Sequence, residues 1–279
     1  MGQTSISWTA TVLPDGTTLP GYTFNPWIGC TKVSAGCLNC YAERQNNFHK
    51  WNLNGWGDNA PRVRTSKNNW KQPIKWAKQA VKDGVTRRVF CASLADVFDK
   101  NIDDSWWVQL FDLIYDTQNI GGLEWLILTK RPENIHSFYD EMFEELTNIR
   151  IGITCENQEM ADLRIPELLR NWHGKNFISY EPALSKVDFV SSIFRPGIWE
   201  LTGGDEYTKI GLRGIDWVIC GCESGNNARP MNLDWARLVR DQCVFADIPF
   251  LMKQMIIDGK LVREPYLDGK QWLEFPEAI

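Results

Sequence analysis

The chain has 279 residues, 43% apolar and 23% charged, with a net charge of −5. This is the balance of a globular protein long enough to bury a large core, and barrels of this size often form one domain. It argues against a uniformly basic nucleic-acid coat, though not against a local basic patch, and no apolar run is long enough to cross a bilayer.

Met1–Thr9 lacks the basic and apolar regions of a secretory signal, and Ile6 stands where a myristoylation pattern needs Ser or Thr. The reading is a cytoplasmic protein with no membrane partner. In that compartment the eight cysteines are expected as thiols or metal ligands rather than as disulfides. Residues 1–21 carry scattered turn signals and predict a β-rich N-terminal arm. A short strand over Tyr22–Gly29 feeds a loop bearing Cys30, Cys37 and Cys40, spaced x6 then x2, and a helix starts at Tyr41. Asn52–Asn59 reads as loop.

Residues 62–88 hold nine positive charges (Arg62, Arg64, Lys67, Lys71, Lys75, Lys78, Lys82, Arg87 and Arg88) against Asp83 alone. Lys71, Lys75, Lys78 and Lys82 share one helix face, with Ile74, Ala77 and Val81 as the expected buried stripe. The segment reads either as a solvated helix face or as a phosphate-contacting patch for a nucleic acid or nucleotide, with Trp70 or Trp76 to stack on bases.

From residue 88 onward, short apolar runs alternate with helix-like segments. The runs are 88–93, 125–130, 151–156, 177–181, 217–223 and 249–253; the helices are expected over 104–115, 132–146, 160–171 and 234–245. Such alternation predicts a parallel sheet, here an α/β partial (β/α) barrel of about six to seven parallel strands. An open doubly wound sheet is the alternative, although no G-x-G-x-x-G follows any strand. Residues 256–279 predict a C-terminal hairpin appendage turning at Asp268-Gly269, completing a single domain over 1–279.

Functional groups of parallel barrels gather at the carboxyl ends of strands. Those ends carry Ser93 with Asp96, Lys130, Thr154 with Glu156, Ser179 with Glu181, and Glu223 with Ser224; they read either as structural ion pairs with Lys130, Arg131 and Arg229 or, as their repetition on successive strands favours, as a polar ligand site. Strand alternation places Cys155, Cys220 and Cys222 toward the helices if the carboxylates face inward, places Cys91 inward but deep, and leaves Cys243 as a structural helix residue. Only Cys30, Cys37 and Cys40 are grouped for metal. Three thiolates suit an iron–sulfur cluster with one iron open. A closed zinc site would need a fourth ligand, for which His49 is the sole nearby histidine.

The loop Asn25-Pro26-Trp27-Ile28-Gly29-Cys30 through Cys37-Leu38-Asn39-Cys40-Tyr41-Ala42-Glu43 resembles that of phage-type radical S-adenosylmethionine (SAM) proteins. The likeness continues through Ser93–Phe98, Leu128–Pro132, Glu156-Asn157-Gln158, Tyr180-Glu181-Pro182, Glu223-Ser224-Gly225, Ala228-Arg229-Pro230 and Lys253-Gln254. The first gap is x6 where the wider superfamily has x3, and Asn39 stands where an aromatic usually precedes the last cysteine.

The resemblance implies a [4Fe–4S] cluster on Cys30, Cys37 and Cys40, with SAM cleaved by one electron to a 5′-deoxyadenosyl radical that abstracts hydrogen from substrate. It implies cofactor contacts from Tyr41, from Ser93 and Asp96 at the methionyl end, and from Glu156, with Thr154, at the ribose. Of the catalytic groups, Lys130 would then neutralise the SAM carboxylate or hold a substrate anion, and Glu181 and Glu223 would face the substrate. It further implies an electron donor such as flavodoxin or ferredoxin, the host cytoplasm as location if the chain is phage-encoded, and an isomerase-type modification of thymidine in DNA as the preferred activity. A non-catalytic zinc-stabilised nucleic-acid-binding protein is the rival expectation, and a metal-independent barrel hydrolase the third.

Overall fold

A computed structural model describes residues 2–52, 54–138, 143, 145–193, 212 and 214–279. Eight strands form one curled sheet: β1 (Tyr22–Phe24), β2 (Arg87–Cys91), β3 (Leu123–Thr129), β4 (Ile149–Thr154), β5 (Lys175–Tyr180), β6 (Val218–Gly221), β7 (Phe250–Ile257) and β8 (Lys260–Arg263). Their order across the sheet is their order in the chain. All neighbours pair parallel except β7 with β8, which pair antiparallel. The result is a half-barrel of seven parallel strands with one antiparallel edge strand that the sequence reading had folded into the C-terminal appendage.

The connecting helices are α1 (Tyr41–His49), α2 (Gln72–Lys82), α3 (Asp104–Ile120), α4 (Gln158–Asn171) and α5 (Leu233–Ala246). Three start on the side-chain caps expected at such positions: Asp103 accepts from the Ser105 amide, Asn157 from Met160 and Asn232 from Asp234. The segment expected as a helix over 132–146 begins as a 3-10 helix at Pro132–Phe138, and residues 139–142 and 144 lie outside the described residues. Helices α2 to α5 pack on one face of the sheet. There Trp76, Phe111, Ile165 and Val239 meet Trp125, Ile151, Tyr180 and Phe250 in the main core.

The other, concave face holds a smaller core of Trp8, Phe90, Leu126, Phe177, Trp217, Ile219 and Leu251. Gly152 makes room for it: a Cβ there would sit 2.2 Å from the Phe177 ring. Trp8 of the N-terminal arm lies tilted against Phe90, the ring centroids 4.5 Å apart. The chain end enters from the other side, with Leu273 and Phe275 against the same cluster. At the amino ends of the strands Glu124, fully buried, receives Arg88 and Arg150, each at 2.9 Å. The two guanidiniums also donate to the carbonyls of Ala10, Pro276 and Glu277. Both termini therefore close the bottom of the half-barrel, and the hairpin at Asp268-Gly269 (Tyr266–Leu267 with Lys270–Gln271) forms as expected.

Several expected faces are corrected. Cys91 packs with the helix-side core while Phe90 points inward, because Ala92 takes a positive φ of 60° and breaks the alternation before Ser93. Cys155, Cys220 and Cys243 lie in the helix-side core as expected. Cys222 does not: it follows the end of β6, where strand alternation no longer applies, and lines the inner cavity. On α2 the buried positions are Pro73, Trp76, Ala77 and Ala80, and Val81 is exposed. Trp76 stacks on Tyr22 at 4.5 Å, and Trp70 lies between Phe24 and the Arg64 guanidinium, so neither ring is free for a base.

Replacing Glu124 with Leu leaves two buried guanidiniums facing each other without a counter-charge. Urea unfolding is expected to show a loss of about 3–5 kcal/mol; an unchanged midpoint would mean that the backbone carbonyls alone satisfy both arginines.

Candidate functional site

The cysteine loop leaves β1 and crosses the carboxyl ends of the strands. Gly29 has a φ of 124°, and a Cβ there would lie 2.7 Å from the Gly55 carbonyl, so glycine permits the close crossing of these two segments. The Cys30 amide donates to that carbonyl at 2.9 Å. Buried Arg62 secures the same corner, pairing with Asp99 at 2.6 Å and donating to Thr31 Oγ1 at 2.8 Å.

Three carboxylates at the ends of alternate strands hold the rest of the loop. Asp96, after β2, accepts from Thr129 Oγ1, the Lys130 amide and Arg131, whose guanidinium also donates to the Thr31 carbonyl at 2.8 Å and lies 3.8 Å from Cys30 Sγ. Glu156, after β4 and fully buried, accepts directly from the Gly36 amide at 2.9 Å and pairs with Arg164 at 2.7 Å. Glu223, after β6, accepts from Asn39 Nδ2 at 2.8 Å and from the Arg229 amide and Nε at 2.9 Å each; Arg229 reaches on to the Ala35 carbonyl. Burial raises the Glu156 carboxyl, but Arg164 and the Gly36 amide outweigh it and hold the group below its ordinary value. Burial likewise opposes ionisation of Glu223, yet the bonds from Arg229 and Asn39 bring it down to about 2.

Beneath the loop lies a cavity of about 480 Å³, within the range of small-molecule sites. Trp8, Phe90 and Leu128 supply apolar wall, and Lys130, Thr154, Ser179, Glu181, Glu223, Lys253 and Gln254 supply polar groups. Of the expected site residues, Cys40, Tyr41, Lys130, Thr154, Glu181 and Glu223 line this space. Cys30, Cys37, Ser93, Asp96 and Glu156 do not. The Ser93 hydroxyl is bonded to Asn25, and its carbonyl accepts from the Tyr41 hydroxyl at 2.6 Å. Asp96 and Glu156, expected against SAM, are engaged instead with the loop and with neighbouring arginines. Glu181 is held by Lys253 at 2.6 and 2.7 Å and by Gln254 at 3.1 Å. Thr154 Oγ1 is buried with no hydrogen-bond partner among the described residues.

The donor set on the loop is three free thiols. In kind this set suits a thiolate-bound cluster: Cys40 opens onto the cavity, and a guanidinium stands beside Cys30 as a counter-charge. Among the described residues no three His, Cys, Asp or Glu side chains are already gathered as metal ligands. Burial, with Asp96 nearby, pushes the Cys30 thiol up to about 12, and Arg131 opposes the rise. His49 ends α1, the opposite terminus from Cys40, and stacks on Trp51 at 4.4 Å. Nine helical residues span about 13 Å, so His49 and Cys40 do not meet.

Ion pairing of the strand-end carboxylates with Arg131 and Arg229, one of the two readings of the sequence, is what the structure shows for Asp96 and Glu223. The anchoring roles of Arg164 and Asn39 were missed. The basic segment is also reduced, since Arg62, Arg87 and Arg88 are buried in internal contacts. Lys75, Lys78 and Lys82 form an exposed face of α2, with exposed Lys71 at its N-cap, and no residue of 62–88 lines the cavity.

A Glu223→Gln variant tests the clamp through pH. The folded carboxyl titrates at about 2, below its ordinary 4.5, so its contribution is complete above about pH 4.5 and is lost as pH falls toward 2. The stability gap between wild type and variant in urea should be widest near pH 7 and narrow below pH 4.5. A gap that stays constant down to pH 3 would refute the clamp's electrostatic origin.

No helix among the described residues is long and apolar enough to cross a membrane. No curated protein and no solved structure matches the chain. A family profile described as "protein of unknown function (DUF5131)" matches residues 3–276, and the chain belongs to that family.

Proposed function

We propose that the chain is a radical SAM enzyme in which Cys30, Cys37 and Cys40 hold a [4Fe–4S] cluster at the mouth of the half-barrel, beside a cavity for SAM and substrate. The placement of the loop carries this reading. It follows the first strand of a parallel half-barrel, is tied across the carboxyl ends, and contributes Cys40 to a cavity where Thr154 has an unmatched hydroxyl. When bound, a cluster of this kind with SAM supplies one-electron cleavage and hydrogen abstraction, the electron coming from a flavodoxin- or ferredoxin-type donor.

The chain's own residues divide the remaining work. Asp96, Glu156 and Glu223 are positioning residues: through Arg131, Gly36 and Asn39 they set where the three thiols stand. Tyr41 and Thr154 are the groups left to contact the cofactor directly. Trp8, Phe90 and Leu128 keep water from the reacting centre. Lys130 and Glu181 face the substrate, and Lys253 and Gln254 fix the Glu181 carboxylate. The preferred reaction is a base-modifying rearrangement of a thymidine in DNA, for which the exposed lysine face of α2 is the support.

Anaerobic reconstitution with iron and sulfide, followed by assay of 5′-deoxyadenosine from SAM under reduction, tests the proposal. Alanine at Cys30, Cys37 or Cys40 should abolish the cluster absorbance, while Cys155→Ala, on the helix side of the sheet, should retain it. Zinc uptake without iron and without deoxyadenosine would sink the reading.

For the substrate, DNA should be retarded in a gel by wild type and released when Lys71, Lys75, Lys78 and Lys82 are all replaced by Gln. Equal retardation would remove this face from the substrate argument.

A further inference from the structure

Rings that the fold leaves outside its cores gather along one edge of the cavity. In helix α1, Tyr41, Arg44 and Gln45 line the cavity, and Phe48 falls on the same stripe, the four being spaced i, i+3, i+4 and i+7. Phe48 is 79% exposed, Trp51, just beyond the helix, 46% and Tyr41 42%. Neither Phe48 nor Trp51 is packed into a hydrophobic core. His49 bridges them: its ring lies T-shaped to Phe48, centroids 4.9 Å apart, and stacks on Trp51 at 4.4 Å.

The same edge is cationic. From residue 44 to residue 67 the chain carries Arg44, Lys50, Arg62, Arg64 and Lys67 against Asp58 alone, although its net charge is −5. Arg62 is buried on Asp99; among the described residues the other four have no carboxylate partner. Trp51 shares an open groove of about 320 Å³ with Val63, Arg64 and Ser66. Ile28, which also lines this groove, packs with Ala42 of α1, so groove, rings and cavity mouth adjoin one another. A single exposed ring would need no explanation. Rings set among unpaired cations are what an unpaired nucleic-acid strand requires, a π-face for its bases and positive charge along its backbone. A duplex keeps its bases stacked on each other, and a protein interface is depleted of charge at its centre.

We infer that the exposed stripe of α1, continued by Trp51 and its groove, is a binding track for single-stranded nucleic acid that leads to the mouth of the cavity. Bases stack on Phe48 and Trp51, while Arg44, Lys50 and Lys67 hold phosphates. Trp70 and Trp76, buried against Arg64 and Tyr22, take no part. The inference rests on the base-modifying reading and deepens it: the strand arrives unpaired, and the track starts on the helix that lines the cavity rather than on α2. It does not depend on what the thiols hold.

The test is fluorescence anisotropy of the full chain, purified without iron or SAM, with a labelled oligothymidylate and with the same strand paired to its complement. The single strand is expected to bind more tightly than the duplex. Phe48→Ala and Trp51→Ala should each weaken it about fivefold or more. Replacing Lys50 and Lys67 together with Gln should flatten the slope of log affinity on log salt by about 1.4. Phe245→Ala, at a ring 65% exposed on α5, should leave binding unchanged. Both α1-edge variants should melt as wild type does, since neither ring is packed in a core, so their loss of affinity is not a loss of fold. Duplex binding as tight as single-strand binding, full affinity in both ring variants, or no binding at all would overturn the track; the last would make the rings a contact for a protein. None of these touches the deoxyadenosine assay, and failed iron uptake leaves a positive titration standing. Weakening in Phe48→Ala with equal gel retardation in the α2 lysine variant would keep the track and remove only the α2 face.

Discussion

Three buried or nearly buried carboxylates, Asp96, Glu156 and Glu223, are the constraint on which the rest of the site depends. Each follows an alternate strand of the sheet and reaches the cysteine loop, through Arg131, directly at Gly36, or through Asn39 and Arg229. An ionised carboxylate taken from water is costly unless its lone pairs are filled. Here the groups that fill them include the loop itself, so the carboxylates stay satisfied only while the loop keeps its position. A loop of polar and small residues with little apolar surface to bury is thereby tied to the strand ends by ion pairs and hydrogen bonds.

This arrangement frees the intervening strand ends. Lys130 and Glu181 follow β3 and β5, between the three anchors, and with Thr154 and Ser179 they turn into the cavity rather than into the loop. The two ends of the half-barrel are thus opposite in character. The amino ends are closed by Trp8, Leu273, Phe275 and the Arg88–Glu124–Arg150 group, with both chain termini folded over them. The carboxyl ends stay open beneath a tethered roof. The ion-paired, closed end and the cavity lie at opposite ends of the same strands, the division at which parallel barrels usually separate stability from ligand binding.

Polar groups in the cavity fall into two kinds. Glu181 and Glu223 are matched by protein cations and keep their geometry without a ligand. Among the described residues the Thr154 hydroxyl has no hydrogen-bond partner and the Lys130 ammonium no carboxylate partner. Residues that add nothing to the folded state are where a binding function is expected to lie.

The strand–helix alternation, the parallel sheet and the position of the cysteine loop after the first strand were all legible in the sequence. They follow from local pattern: apolar runs of strand length, helical periodicity and turn residues act over a few positions. The inward turn of Thr154, Ser179 and Glu181 was legible too, because alternation holds inside a regular strand. It failed at Cys91 and Cys222, where Ala92 adopts a positive φ and β6 has already ended. The burial of Trp76 and of Arg62, Arg87 and Arg88 was not legible either, since each depends on a partner far along the chain: Tyr22, Asp99, Pro20 and Glu124. The same holds for the anchors. The sequence alone established that acidic residues gather at the strand ends; whether a given carboxylate faces a ligand or grips a loop 120 or more residues away was decided only by the tertiary structure, because that choice is made by which cation or amide the fold brings to it.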